Sequence, residues 1–224
     1  MDTQVYSLLN QPKIEQNEKR RVKPFGAMLR GALGDNAWSK LEPAITERFV
    51  TTLSDDHMLR FVGKMHWVYC SPMGALIAKF IKRFSILPDS CARDVNFTFD
   101  ISMQNGEIMK QRGYKLRANK SFMFTSTFND QPRLHEEFGG RIGMYLRLAV
   151  KRGALLFRDQ GYFLRIKHWR LPLPGWLTVG TFDLLHRNID DRRFQIIIRV
   201  AHPLFGTLFY QRGEFRKLES RLLR

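Results

Sequence analysis

The chain has 224 residues, 44% of them hydrophobic, with 18 Phe and 4 Trp. That apolar content can supply a real core and excludes disorder of the whole chain. Lys and Arg number 37 against 21 acidic residues, a formal net charge of +16; such an excess favours anionic partners (nucleic acid, phospholipid headgroups, acidic proteins), with a soluble protein that merely has a basic surface as the alternative.

Residues 1–23 are polar, end in the charge run EKRRVK and read as a flexible basic leader. They lack the apolar core of a signal peptide. No stretch of the chain approaches the roughly 18 apolar residues of a spanning helix. The expected location is the cytoplasm, with peripheral contact at the inner membrane face as a variant. Cys70 and Cys91 are not spaced as a metal or redox motif, which predicts a reduced protein with two thiols. Pro24 can open a helix as its first residue, and PFGAMLRGAL then forms a short helix ending near Gly34. Asp35 or Asn36 can cap the next, whose apolar positions Trp38, Leu41, Ile45 and Phe49 recur at helical spacing, with Pro43 breaking or kinking it. Residues 24–50 are thus a helical segment.

From Met58 the period changes, and MLRFVGKMHWVYC reads as extended. Ser71-Pro72 then supplies a cap and a first-position proline for a helix over 72–84, with Leu76, Ile77, Phe80, Ile81 and Phe84 on one apolar stripe. After residue 92 the chain reads as β. Val95, Phe97, Phe99, Ile101 and Met103 alternate with polar residues, and Asn105-Gly106 is a strong hairpin signal before a return strand at 108–116. Strands follow at 121–128, 141–150, 154–158, 161–169, 177–187 and 192–200, and HPLFG turns the chain into LFYQRGEF. Short connections mean antiparallel pairing. About eight or nine such strands predict a strongly curved antiparallel sheet or open β-barrel around the helix 72–84. The expected whole is one α+β domain over 24–224, with the sheet spanning 58–216. RLPLPGWL (170–177) falls between two strands and reads either as a rigid corner whose Leu and Trp plug the barrel end or as a hydrophobic rim.

The chain carries no phosphate-binding glycine loop, no dinucleotide fingerprint, no nucleophile elbow and no zinc-protease helix motif. GGRIG (139–143) opens a strand and reads as a bulge or tight turn. Glu136 and Glu137 are neighbours in an extended stretch, so their side chains point to opposite faces and do not form an acid–base pair. No cofactor and no metal are expected. Charge carries more information. Arg141, Arg147, Arg165, Lys167 and Arg170 fall on alternating strand positions with aromatic residues interleaved, a candidate anion-binding face or a solvated outer face.

The chain from about Arg60 to Phe215 resembles the bacterial family known as domain of unknown function 4166. The likeness lies in an extended segment leading into SPMGALIAKFIKRFSILP, a QRGY segment (111–114), EFG (137–139), the LPLP corner (171–174) and the closing HPLFGTLFYQRGEF (202–215). In the family a tryptophan usually stands two residues before the arginine of the first segment, where this chain has Lys110. The resemblance implies an accessory domain, often a partner of or fused to an NAD-binding, saccharopine-dehydrogenase-like domain or a small membrane protein, and supplies no catalytic residues.

The function expected from the residues is non-catalytic binding of an apolar or amphipathic small molecule, such as a lipid, in the sheet's concavity, because a curved sheet with an aromatic-rich inner face readily leaves a pocket. The candidate lining is Phe97, Phe99, Phe122, Phe124, Met144, Leu146, Phe194 and Ile196, for which a filled core is the alternative. The rival readings are a basic module binding anionic partners, a membrane surface ahead of nucleic acid; an accessory domain of an NAD-dependent oxidoreductase; and an enzyme whose site assembles His168, His202, Arg112 and Glu137.

Overall fold

The computed structural model describes residues 25–50, 57–80, 90–104, 107–117 and 120–222. Three helices come first: α1 (Phe25–Leu33), α2 (Asp35–Trp38) and α3 (Pro43–Val50). Strand β1 (His57–Cys70) leads into helix α4 (Pro72–Phe80). The rest is β: β2 (Ala92–Gln104), β3 (Glu107–Arg117), β4 (Lys120–Asn129), β5 (His135–Phe138), β6 (Ile142–Lys151), β7 (Ala154–Ile166), β8 (Trp169–Leu173), β9 (Thr181–Asn188), β10 (Arg193–His202) and β11 (Gly206–Leu222), with a 3-10 turn at Gly175–Leu177.

The strands form one antiparallel sheet in the order β6-β5-β4-β3-β2-β1-β11-β10-β9-β7-β8, and β6 also pairs with β7. That last pairing closes ten strands into a barrel and leaves β8 as an outer partner of β7. The α+β class and the strongly curved antiparallel sheet are as expected from the sequence, and closure leaves no free edge in the ring itself. The sequence reading divided β7 in two. The chain instead stays extended through Gly161 (φ +98) while its partner changes: Leu155–Arg158 pair with β9 and Tyr162–Ile166 with β8.

Inward positions follow the pleat. Val95, Phe97 and Ile101 of β2 are buried and Phe99 half-buried; Phe194 and Val200 of β10 are buried, Ile196 and Ile198 half-buried. On the outer face, Arg60 grips Asp100 through two hydrogen bonds of 2.8 Å.

The N-terminal helices cover one barrel end. Phe25, Met28 and Leu29 of α1 and Ile45 and Phe49 of α3 are buried. Phe25 meets Phe128 edge-on at 5.2 Å, and Phe49 meets the His186 ring at 5.2 Å. Pro43 opens α3, so the break expected there separates two helices. The Glu42 amide donates to the Gly153 carbonyl at 3.0 Å, pinning the segment to the β6–β7 turn.

Helix α4 does not lie inside the sheet, which corrects its expected placement. Its buried residues are Gly74 and Ala78, and a Cβ on Gly74 would overlap the Leu208 carbonyl. The helix packs through this small-residue face, the one that permits close approach to β11, so its stripe residues Leu76 and Phe80 face outward, the latter 81% exposed. Residues 1–23, 81–84 and the Asn105-Gly106 turn lie outside the described residues; β2 and β3 pair up to Gln104 opposite Glu107, directly beside that turn.

Candidate functional site: the barrel interior

The barrel is not filled along its length. Two interior cavities, about 120 Å³ and about 80 Å³, share Arg112, Glu136, Phe182, Leu184, Ile198 and Gln211 in their walls. They are therefore two chambers meeting at one polar layer. The smaller lies under α1 and α3, against Phe25 and Phe49. The larger is bounded by Leu173 at the end of β8 and by Leu177, Thr178 and Val179 from the segment that follows it. Leu177 is 59% exposed and also lines the chamber, which places a mouth there. Phe182, Leu184, Ile196 and Ile198 point inward yet are only half-buried, as hollow space requires.

Charge crosses the chambers on β3. Strand alternation sends Ile108, Lys110, Arg112 and Tyr114 inward together. Arg112 donates through Nη2 to Glu136 Oε1 (2.7 Å) and through Nη1 to Ser126 Oγ (2.9 Å). Ser126 in turn donates to the same Glu136 oxygen. Lys110 Nζ lies 3.5 Å from Glu136 Oε2 and 3.6 Å from the centre of the Phe128 ring, a cation–π contact. Tyr114 donates to Gln211 Oε1 at 2.9 Å.

Burial alone would raise the pKa of Glu136, but the charges of Arg112 and Lys110, with the hydrogen bonds from Ser126 and Arg112, outweigh it and hold the pKa down at about 2. Lys110 is pulled down to about 8, chiefly by burial, against the attraction of Glu136. The Tyr114 phenol is pushed up to about 12 by burial. In the helix-side chamber, Arg48 bonds His186 Nε2 and Asn188 Oδ1, each at 3.0 Å. Burial and the Arg48 charge drop the pKa of His186 to about 3, so that ring is neutral.

Of the residues proposed from sequence as a lining, Phe97, Phe99, Phe194 and Ile196 lie in the wall of the smaller chamber and Phe124 and Met144 in that of the larger. Phe122 packs against the Phe124 ring at 5.7 Å, and Leu146 belongs to the filled core. No sequence motif marks the layer of Lys110, Ser126, Glu136 and Gln211. Its signal was present: polar residues at positions whose alternation faces the core.

The proposed basic face is partly engaged. Arg165 Nε (3.2 Å) and Arg170 Nη2 (3.3 Å) both reach the buried carboxylate of Glu137, and His135 Nε2 lies 3.5 Å from it. This cluster sits outside the barrel over Phe163, while Arg141, Arg147 and Lys167 are exposed. Glu136 and Glu137 thus face opposite ways, as their spacing requires. His168, His202, Arg112 and Glu137 are not brought together: Arg112 is inside, Glu137 outside, His168 on the exposed β7–β8 turn, and His202 buried against Phe205 (4.8 Å between rings). In RLPLPGWL, Leu173 and Leu177 line the chamber but Trp176 is 72% exposed, so the tryptophan does not plug the barrel end. Among the described residues no helix is long and apolar enough to cross a membrane, and no group of three or more His, Cys, Asp or Glu is placed to hold a metal ion.

Fold and site together define a closed antiparallel barrel, capped by helices at one end and hollow toward the other, with a charged layer across its interior. The chain belongs to the family described as "Domain of unknown function (DUF4166)", whose model matches residues 41–215. It is also similar to the "Uncharacterized protein YndH" of Bacillus subtilis (strain 168), 29% identical over 143 residues, which cover 57% of this chain and 67% of that protein.

Proposed function

We propose that this protein binds an amphipathic small molecule, of the size and character of a lipid fragment, inside the barrel. The observation that carries this reading is the pair of chambers joined at one polar layer and reaching an exposed mouth at Leu177. Apolar walls with a few convergent polar groups are the usual composition of a small-molecule site. Protein purified without detergent is expected to show, by native mass spectrometry, a population heavier than the chain by a small organic molecule that solvent extraction releases. Ile198→Trp, which pushes an indole into the wall common to both chambers, should abolish that population while leaving the fold intact by circular dichroism. A chain of bare mass that also takes up neither added 1-decanol nor decanoate would sink the proposal.

One further observation favours a second reading, docking of the mouth end on an anionic bilayer. Large exposed apolar side chains collect at that end: Leu76 and Phe80 on α4, Trp169 and Trp176 around β8, Leu204 and Phe205 in the β10–β11 turn. The elements share the end because α4 packs on Leu208 and Gly180 packs on Ala201, and because β7 passes the chamber residue Ile142 at Leu164 before it reaches the turn to Trp169. Exposed Lys79 and Lys167 stand among them. Interfacial aromatics with flanking cations are the common membrane-surface pattern, each cation contributing about 1 kcal/mol near an anionic surface. Trp176→Ala should weaken cosedimentation with phosphatidylserine-containing liposomes several-fold without lowering the melting temperature. Unchanged binding would remove Trp176 from any such surface, and a large loss of stability would show that its ring packs inside.

A further inference from the structure

The interior carries more positive than negative charge. Among the described residues, the cations in the chamber walls are Arg48, Lys110 and Arg112, and the only carboxylate there is Glu136. Glu136 already accepts from Arg112, Ser126 and Lys110. His186 adds no negative charge and, being neutral, no further positive one. Desolvating a charge costs several kcal/mol unless an opposite charge or strong hydrogen bonds offset it. Glu42 attracts Arg48 from nearby, but Lys110 and Arg112 share the single carboxylate of Glu136, so a barrel that keeps this extra cation beside empty space has a ready place for an anion.

We propose that the ligand is an amphipathic anion, its charged head seated on Arg112 at the layer between the chambers and its apolar chain running toward Leu177. This rests on the reading of the barrel as a small-molecule site and adds the chemical class. Arg112 is the residue placed to do this. It lines both chambers, whereas Lys110 and Arg48 line only the helix-side one. Its two terminal nitrogens are held by Glu136 and Ser126, which orients the planar guanidinium. Those two bonds use one hydrogen on each terminal nitrogen, and a carboxylate or a monoester phosphate can accept from N–H groups of the planar fork that they leave over. Toward the mouth the wall turns apolar, with Phe124, Phe138, Met144 and Leu173. The ligand's polarity would thus run from a charged end at the layer to an apolar end at the opening.

The test is calorimetric titration of the full chain with four probes of equal chain length: decanoate, decyl phosphate, 1-decanol and decyltrimethylammonium. One of the two anions should bind about tenfold or more tighter than the alcohol, as expected for a hydrogen bond to a charged group, and the cation weakest. The better anion identifies the head as carboxylate or phosphate. Arg112→Met should bring that anion to the alcohol's affinity while leaving the alcohol unchanged. Because Arg112→Met also strips a partner from Glu136, Arg112→Met/Glu136→Gln/Lys110→Met serves as a second variant that removes the whole charged cluster and leaves no buried charge of it unpaired. Decanol binding as tightly as both anions overturns the anionic class and leaves the barrel site standing. No binding of any probe overturns both. An anion preference that survives in both variants overturns the assignment to Arg112.

Discussion

Glu136→Gln is expected to destabilise the protein by about 3–5 kcal/mol, because it leaves the buried Lys110 and Arg112 charges without their carboxylate. The denaturant midpoint should fall with little change in slope. Adding Lys110→Met should recover part of the loss by removing one of the two stranded charges. A fall of under about 1 kcal/mol would mean that water or another anion neutralises the layer. The same group sets an acid limb of stability. Its folded pKa of about 2 lies below the ordinary 4.5, so its contribution is fully present above about pH 4.5 and is lost as pH falls toward 2. The shift corresponds to roughly 3 kcal/mol. Glu136→Gln should flatten that limb. Lys110 acts at the alkaline end: its folded pKa of about 8 is below 10.5, so the folded state sheds its proton first and stability rises as pH climbs through that window.

Phe163→Ala should cost about 3–5 kcal/mol, the range for truncating a fully buried aromatic ring, and detach the outer β7–β8 arm. The ring is 0% exposed although it lies on the outer face of the barrel. It packs on Tyr145 at 4.7 Å and on His135 at 5.8 Å, with the Arg170 guanidinium 5.5 Å above it. Its seat exists because residue 143 is glycine; a Cβ there would overlap the ring. Gly143→Ala should accordingly destabilise by about 1–3 kcal/mol, the cost of overpacking, and should be nearly silent when Phe163 is already Ala. Limited proteolysis at 165–175 would report release of the arm. If Phe163→Ala leaves both the melt and the cleavage pattern unchanged, Phe163 does not anchor the arm.

Much of the architecture is legible in local pattern. The alternation in β2 and β10 places one face in the core whichever strands pair, and the short turns enforce antiparallel neighbours. The opposition of Glu136 and Glu137 follows from extended geometry alone. The misplacement of α4 has the opposite origin. Its apolar stripe suggested a core face, but the face that packs is Gly74 and Ala78, because contact with β11 needs a close backbone approach that only small residues allow. Hydrophobic period measures which side could be buried, and the available partner surface decides which side is.

The interior site divides along the same line. The sequence by itself determined a basic, aromatic-rich chain whose strands must curl, and it set Lys110, Arg112 and Tyr114 on one side of one strand, because alternation is a property of the backbone. Only the tertiary structure decided that this side faces Glu136, 26 residues from Lys110, and Gln211, 97 residues from Tyr114. Closure through β6 and β7 brings those strands around a common axis, and neither register nor closure is encoded locally. Whether the aromatic faces meet in a filled core or stand apart around chambers was likewise set by the barrel's girth, a property of ten strands together that no single strand carries.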